Sequence, residues 1–235
     1  MKVVVVNRFF YPDVAATGQF AADLAFDLAE AGHEVHVVTS RLAYDGGPGY
    51  PAEETVHGVR VNRVWTSRYG RGSLPGRMLD YASFYVSSTW RLLRLLRTGD
   101  IVIAMTDPPL LSVCAAWAAR WRGARLVNWV QDLFPEVAAA LGFPALGGIL
   151  GVPLRAMRDR SLRFAVMNVA LGERMAAWLR QRGGEGCKVR VIHNWADGAL
   201  IRPTELHENR LRSEWALADR FVVGYSGNMG RAHDI

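Results

Sequence analysis

Three observations predict an α/β fold, with a parallel sheet covered by helices on both faces. The first is the opening of the chain. Residues 3–6 are four consecutive valines, the pattern of a strand buried on both faces. Residues 7–17 read as a loop broken by Pro12, and Gly18 opens a helix that Gly32 stops. Residues 33–39 follow as a second strand, so the first forty residues form a βαβ unit, which closes right-handed. The second observation is alternation: short apolar strands and amphipathic helices take turns through about residue 198. The third is that Asp107 and Asp132 each follow a predicted strand. Doubly wound sheets place ligands at the carboxyl ends of their strands.

The remaining elements follow from local pattern. In the first helix Phe20, Leu24 and Leu28 share a side with Ala21 and Ala25, while Asp23, Asp27 and Glu30 face away. Residues 41–57 are rich in Gly and Pro and read as a long polar loop. Residues 58–64 alternate as a strand. Residues 65–77 form another loop, carrying Arg68, Arg71 and Arg77. A helix over 78–97 is broadly apolar at first and ends with Arg91, Arg94 and Arg97 on one side. Strands are expected at 101–105, 124–130, 164–171 and 188–192, and helices at 110–122, 153–163 and 172–182. Together these define a first domain, 1–198. Residues 199–219 read as a connector with one helix at 206–217. Residues 221–225 read as a new strand running into a glycine-bearing turn, so 220–235 is expected to begin a second, truncated α/β domain.

Composition narrows the function. Half of the residues are apolar, enough for a sizeable core. The formal net charge is +6, and of 28 basic residues only Lys2 and Lys188 are lysines. Arginine suits planar, bidentate phosphate contacts, and a basic balance fits anionic lipid, nucleotide or nucleic acid equally. The arginines are scattered, with no aromatic-interleaved patch, so no nucleic-acid partner is expected. Cys114 and Cys187 stand outside any motif and point to packing roles in a reducing compartment. No signal peptide is read, because residues 3–6 are too short for an h-region and are followed by Asn7 and Arg8. Residues 137–154 lack any charge but contain four glycines and two prolines. That argues for short helical pieces at an interface and against a membrane span.

Several chemistries lack their motifs. There is no GxGxxG after the first strand, no G-x-S-x-G and no P-loop. His33 and His36 fall on opposite strand faces, no Cys/His cluster has ligand spacing, and no D-x-D occurs, so no metal site is expected. Two readings of Gly18 stand side by side. It lets a phosphate approach backbone N–H groups at a helix start, or it relieves a crowded start. From position alone, Asp132 is favoured as a helix-start cap over a cleft carboxylate. Asp107, before Pro108-Pro109, reads as a turn residue, and His193 as a loop residue. Arg91, Arg94 and Arg97 either complement the helix dipole, the reading slightly preferred, or grip anionic lipid.

Longer stretches carry a resemblance. NRFFYPDVAATGQF, LAEAGHEVHVVTS, GVRVNRVWTSRYGR, DYASFYVSS, MTDPPLLSV, VNWVQDLFPEVA, VIHNWADG and GYSGNMGRAHD resemble the retaining GT-B glycosyltransferases of glycosyltransferase family 4. The resemblance is to the WcaI/WbuB type, which builds colanic acid and O-antigen units. It implies two Rossmann-like domains facing across a cleft, the first receiving the acceptor and the second holding a nucleotide sugar. It also implies metal-independent transfer, with the nucleotide sugar as substrate and no cofactor. By resemblance Asp132 is the catalytic cleft residue, with Gln131 where many members carry histidine. Thr17, Gly18, Asp107 and Asn194 are substrate-binding. Gly227, Asn228, Gly230 and Arg231 form the donor-phosphate loop, Asn228 standing at the usual arginine position. The implied acceptor is a saccharide on undecaprenyl diphosphate at the cytoplasmic face of the plasma membrane. The helix at 78–97 and residues 137–154 then become the surface that meets anionic lipid. The chain is expected to be inactive alone. The competing expectation is a non-catalytic module of the same fold that binds lipid or a partner.

Overall fold

The structure is a computed structural model that describes residues 1–70, 72–199, 201–217 and 219–225. The chain divides into two compact units, Met1–His193 and Asn194–Ile235. The first unit holds an eight-stranded sheet. Its strands are β1 (Lys2–Val6), β2 (Glu34–Ser40), β3 (Glu53–Val56), β4 (Val59–Val64), β5 (Ile101–Ala104), β6 (Arg125–Val130), β7 (Met167–Ala170) and β8 (Val189–Val191). They lie in the order β3-β4-β2-β1-β5-β6-β7-β8. All neighbours are parallel except β3 and β4. The predicted fold class is therefore the observed one.

The valines of β1 show why. Val4 and Val6 enter a core with Phe84, Leu92, Val102, Leu111 and Leu126 on one face. Val5 enters a second core with Phe10, Ala21, Ala25, Val37 and Val61 on the other. A strand buried on both faces has no polar position to spare. Helix α1 (Ala16–Glu30) covers the second core, and α2 (Leu74–Leu95) and α3 (Leu111–Arg122) cover the first. Residues 136–164 form α4 (Glu136–Ala140), α5 (Pro144–Gly147) and α6 (Gly151–Phe164), so the uncharged stretch is short helical pieces as expected. Helix α7 (Glu173–Gly183) packs on β7 and β8 around a third cluster that includes Leu162, Ala176 and Leu179.

Four local expectations need correction. Strand β3 lies within the stretch read as a loop. Its sequence, EETV, is polar because it is an antiparallel edge strand. The link to β4 is the pair His57-Gly58, both at positive φ (47° and 78°), as a type I′ hairpin requires. Helix α1 starts at Ala16, so Gly18 lies in its first turn. Helix α2 starts at Leu74, before the expected Met78. Ser73 caps it by accepting from the Gly76 N–H (3.2 Å), and Pro75 is tolerated in a first turn. Arg91 does not join Arg94 and Arg97 as a free cation, because it pairs with Glu53 and bonds Asn62.

In the second unit, the expected helix shortens to α8 (Arg210–Glu214), capped by Asn209. Residues 221–225 form no strand, and Phe221 and Val223 are almost fully exposed. An isolated strand leaves its backbone groups without a ladder partner. The expected donor-phosphate loop, Gly227 to Arg231, lies outside the described residues.

The start of α2 is tightly wrapped by the loop before it. A Cβ on Gly76 would collide with the Tyr69 carbonyl and crowd Ser73 Oγ. Gly76→Ala is therefore expected to destabilise the fold by about 1–3 kcal/mol, as overpacking does. Urea denaturation with an unchanged slope checks this, and an unaltered midpoint would show that the loop yields freely.

Candidate functional site

The site is built on the carboxyl edge of the central strands. Val6 lies level with Val38 on one side and with Ala104 on the other. The loops after β1, β2 and β5 therefore start from one rim. Backbone bonds then lock them together. The Arg8 N–H donates to the Asp107 carbonyl (2.8 Å), while the Arg8 carbonyl accepts from the Ser40 N–H (3.0 Å) and Thr39 Oγ1 (2.9 Å). Asn7, fully buried, donates to the Phe9 carbonyl (2.8 Å) and to Thr17 Oγ1 (3.3 Å), tying the loop to the first turn of α1.

A cavity of about 820 Å³ opens at this rim. Its lining includes Arg8, Phe9, Tyr44, Arg68, Arg77, Tyr81 and Asp107. The Arg8 guanidinium lies over the rings of Phe9 (5.1 Å) and Tyr81 (5.0 Å). Loop 67–69 is pinned to α2 by Asp80, which accepts from Ser67 Oγ (2.6 Å) and the Tyr69 N–H (2.9 Å). Tyr85, one turn beyond Tyr81, donates its hydroxyl to the Pro109 carbonyl, and burial holds its phenol well above the ordinary range.

Of the two carboxylates singled out by the sequence, Asp107 lines the cavity, and Asp132 stands near enough for its charge to act on Asp107. Burial pushes Asp107 up to about 6; Arg8 opposes the shift and the charge of Asp132 adds to it. Desolvation thus outweighs the guanidinium. Burial also pushes the Tyr81 phenol up, with Asp107 adding to the shift and Arg8 and Arg77 opposing it. Asp132 is an exposed residue in the loop after β6, yet enough protein crowds its carboxyl to raise it above the usual range. It does not sit at the start of α4, whose N-cap is Pro135. Gln131 Nε2 beside it is buried without a hydrogen-bond partner, as are Asn7 Oδ1, Arg8 Nε and Thr106 Oγ1 on the neighbouring loops.

Gly18 is buried, and a Cβ there would stand 3.2–3.4 Å from the backbone of Phe9 and Phe10. Close packing of α1 on the loop is a sufficient reason for glycine. Asn194 is exposed and begins the second unit. Sequence reasoning gave no role to Arg8, Tyr81 or Tyr85. A signal was present in the i, i+4 spacing of the two tyrosines, which puts them on one side of α2.

Because Asp107 is raised above its unfolded value of 3.8, its contribution to stability is fully present below that value. It is lost as pH rises through about 6. Asp107→Asn removes the cost of a buried charge. The variant is expected to gain about 1–3 kcal/mol over the parent at pH 8, and nothing below pH 4. Urea midpoints of both proteins at pH 4, 6 and 8 check the sign; a loss at pH 8 would mean that the pair with Arg8 dominates.

Comparison with known proteins gives this geometry a family. Residues 16–195 match the model of the glycosyl transferase 4-like domain. WcaI of Escherichia coli (strain K12), named for colanic acid biosynthesis as a glycosyl transferase, is 27% identical over 246 residues, covering 98% of this chain and 59% of its own. The GDP-mannose-dependent alpha-mannosyltransferase of Mycolicibacterium smegmatis is 25% identical over 97% of this chain and 56% of its own. The chain therefore spans little more than half the length of these relatives. Among solved structures, sucrose-phosphate synthase from Thermosynechococcus elongatus superposes with a TM-score of 0.67 at 14% identity, over 92% of this chain and 53% of that one. Anabaena HepE in complex with UDP and glucose gives 0.59 at 16% identity, over 98% and 54%. These likenesses establish the GT-B type of fold, and the match across residues 16–195 establishes that the chain belongs to the glycosyl transferase 4-like family.

Proposed function

We propose that this chain is the acceptor-binding half of a retaining, metal-independent glycosyltransferase of the WcaI/WbuB type. It would transfer a hexosyl group from a nucleotide sugar to a saccharide on undecaprenyl diphosphate, in exopolysaccharide or O-antigen assembly. The observation that carries this reading is the placement of Arg8, Tyr81 and Asp107 around one cavity at the carboxyl rim, with the charge of Asp132 reaching Asp107, in a chain of this family. The names of the two relatives support sugar transfer, and one of them is named as GDP-mannose-dependent. The lack of a D-x-D motif supports diphosphate departure without a carboxylate-held metal.

Asp132 is the catalytic carboxylate in this reading. It orients the acceptor hydroxyl and stabilises the positive charge that builds on the donor sugar. Asp107 accepts hydroxyl hydrogen bonds deeper in the cavity, Thr17 and Gly18 border the donor diphosphate, and Asn194 contacts substrate. Gly227, Asn228, Gly230 and Arg231 are assigned to the donor phosphates. No cofactor is invoked. Residues 1–235 by themselves are not expected to complete transfer, since they span 59% and 56% of the relatives.

The same reading places the protein peripherally on the inner face of the plasma membrane. Among the described residues no helix is long and apolar enough to cross a membrane. The outer side of α2 nevertheless exposes Leu79, Val86 and Trp90 and ends in Arg94, with Arg97 exposed just past the helix. Arg94 lies over the Trp90 ring at 4.6 Å. Ile149, Leu150 and Val152 add an exposed apolar patch before and at the start of α6. Apolar side chains flanked by arginines suit an interfacial helix on anionic lipid.

Asp132→Asn, in a form carrying the rest of the relatives' length, is expected to lower turnover about 100-fold or more without changing the melting temperature. Near-normal turnover would remove Asp132 from the mechanism. Sedimentation with anionic vesicles is expected to fall as salt approaches 1 M, where screening shortens to about 3 Å, and to fall again in Trp90→Ala. Attachment that resists both salt and alkali would point to an inserted segment instead.

A further inference from the structure

Two sets of arginines in this fold contrast. Arg63, Arg91, Arg158, Arg180 and Arg210 each face a carboxylate within ion-pairing distance. Arg8, Arg68 and Arg77 line the rim cavity, and among the described residues none of them has a carboxylate within 4 Å. Arg8 is held from both sides by its backbone bonds and aromatic neighbours, and its Nε is buried without an acceptor. Arg68 and Arg77 are exposed and arrive from the loop before α2 and from its first turn.

The cavity also has acidic residues, and they matter for sign. Asp80 is turned into the loop that it pins, and Asp45 accepts the Gly47 N–H (2.8 Å). Asp107 lies within electrostatic reach of Arg8 and Asp132. The outer part of the cavity therefore presents the exposed guanidinium groups of Arg68 and Arg77 without an ion-paired carboxylate, while Arg8 also hydrogen-bonds Tyr81. Planar forks of this kind hold phosphoryl oxygens bidentately, which a lysine cannot do. Tyr44 and Phe9, edge to face at 5.2 Å, give the same cavity an apolar wall.

We propose that Arg8, Arg68 and Arg77 form a cradle for a diphosphate ester, bound in the rim cavity on the acceptor side of the sheet. The proposal rests on the acceptor reading given above, and it adds residues and a ligand group that the catalytic assignment does not contain. The diphosphate belongs either to a polyprenyl-linked acceptor or to a nucleotide; both present the same oxygens to the forks. The apolar wall favours the polyprenyl source.

The test is calorimetry of the 235-residue chain at low salt with three probes: inorganic pyrophosphate, farnesyl diphosphate and UDP. Pyrophosphate binding is expected in the parent. It should weaken about tenfold or more in the exposed pair variant R68A/R77A, less in R68K/R77K, and not in R120A, which removes an exposed arginine of α3 away from the cavity. Arg8→Ala should abolish binding, with circular dichroism confirming the fold. Farnesyl diphosphate binding tighter than UDP assigns the cradle to a polyprenyl ligand, and the reverse order assigns it to a nucleotide; either order sustains the cradle. Absence of pyrophosphate binding, equal binding by R68A/R77A, or an equal loss in R120A would overturn it. The catalytic reading fails separately: arginine-dependent binding with full turnover in Asp132→Asn leaves the cradle standing and removes the catalytic carboxylate.

Discussion

The two-sided pairing of β1 is the constraint on which this structure depends. Its valines fill both cores, and its backbone is bonded to β2 on one side and β5 on the other. A strand so enclosed cannot slip by one residue without exchanging its two faces. Register is therefore fixed, and with it the level at which three loops leave the sheet. Arg8 exploits that level. Its backbone reaches the Asp107 carbonyl on one side and the Ser40 N–H on the other, which only adjacent strands ending together allow.

Holding loops at a rim has a cost. Buried polar atoms without hydrogen-bond partners occur there at Asn7 Oδ1, Arg8 Nε, Thr106 Oγ1 and Gln131 Nε2. Each costs about 1–3 kcal/mol if left unmet. Others occur inside the sheet, such as Asn128 Oδ1, but there the same amide also donates to Asn168 Oδ1 at 2.9 Å. The rim groups lie on the loops after β1, β5 and β6, and Arg8 among them lines the cavity, where a polar ligand can meet its donor. The valine cores beneath supply the stability that tolerates it.

What could be read from sequence followed burial. Central parallel strands are written as apolar runs, so residues 3–6 and the alternation after them were legible. Strand β3 was not, because an edge strand with exposed faces carries EETV and looks like a loop; only the His57-Gly58 turn betrays it. The start of α2 was hidden by Gly and Pro in Ser73-Leu74-Pro75-Gly76, residues that a helix accepts in its first turn alone. Asp107 and Asp132 were legible from position, since each follows a strand. Their neighbour Arg8 was not, although it too follows a strand. Its meeting with Tyr81 depends on β1 lying beside β5 and on α2 crossing the same face, and no local pattern encodes that adjacency.

The electrostatics of the rim then couple its parts. Asp107 is raised although Arg8 opposes the rise, so the cost of taking the carboxylate out of water exceeds what one guanidinium returns. The charge of Asp132 adds to the rise. An anion drawn to Arg8 would divide the attention of that guanidinium and bring further negative charge close to Asp107. Both effects push the carboxyl toward its protonated form, a hydrogen-bond donor. By linkage, protonation of Asp107 must strengthen anion binding by the same factor. An anion held at Arg8 and the carboxyl of Asp107 beside it would thus form one electrostatic unit, in which the charge of the ligand sets the protonation of the acid.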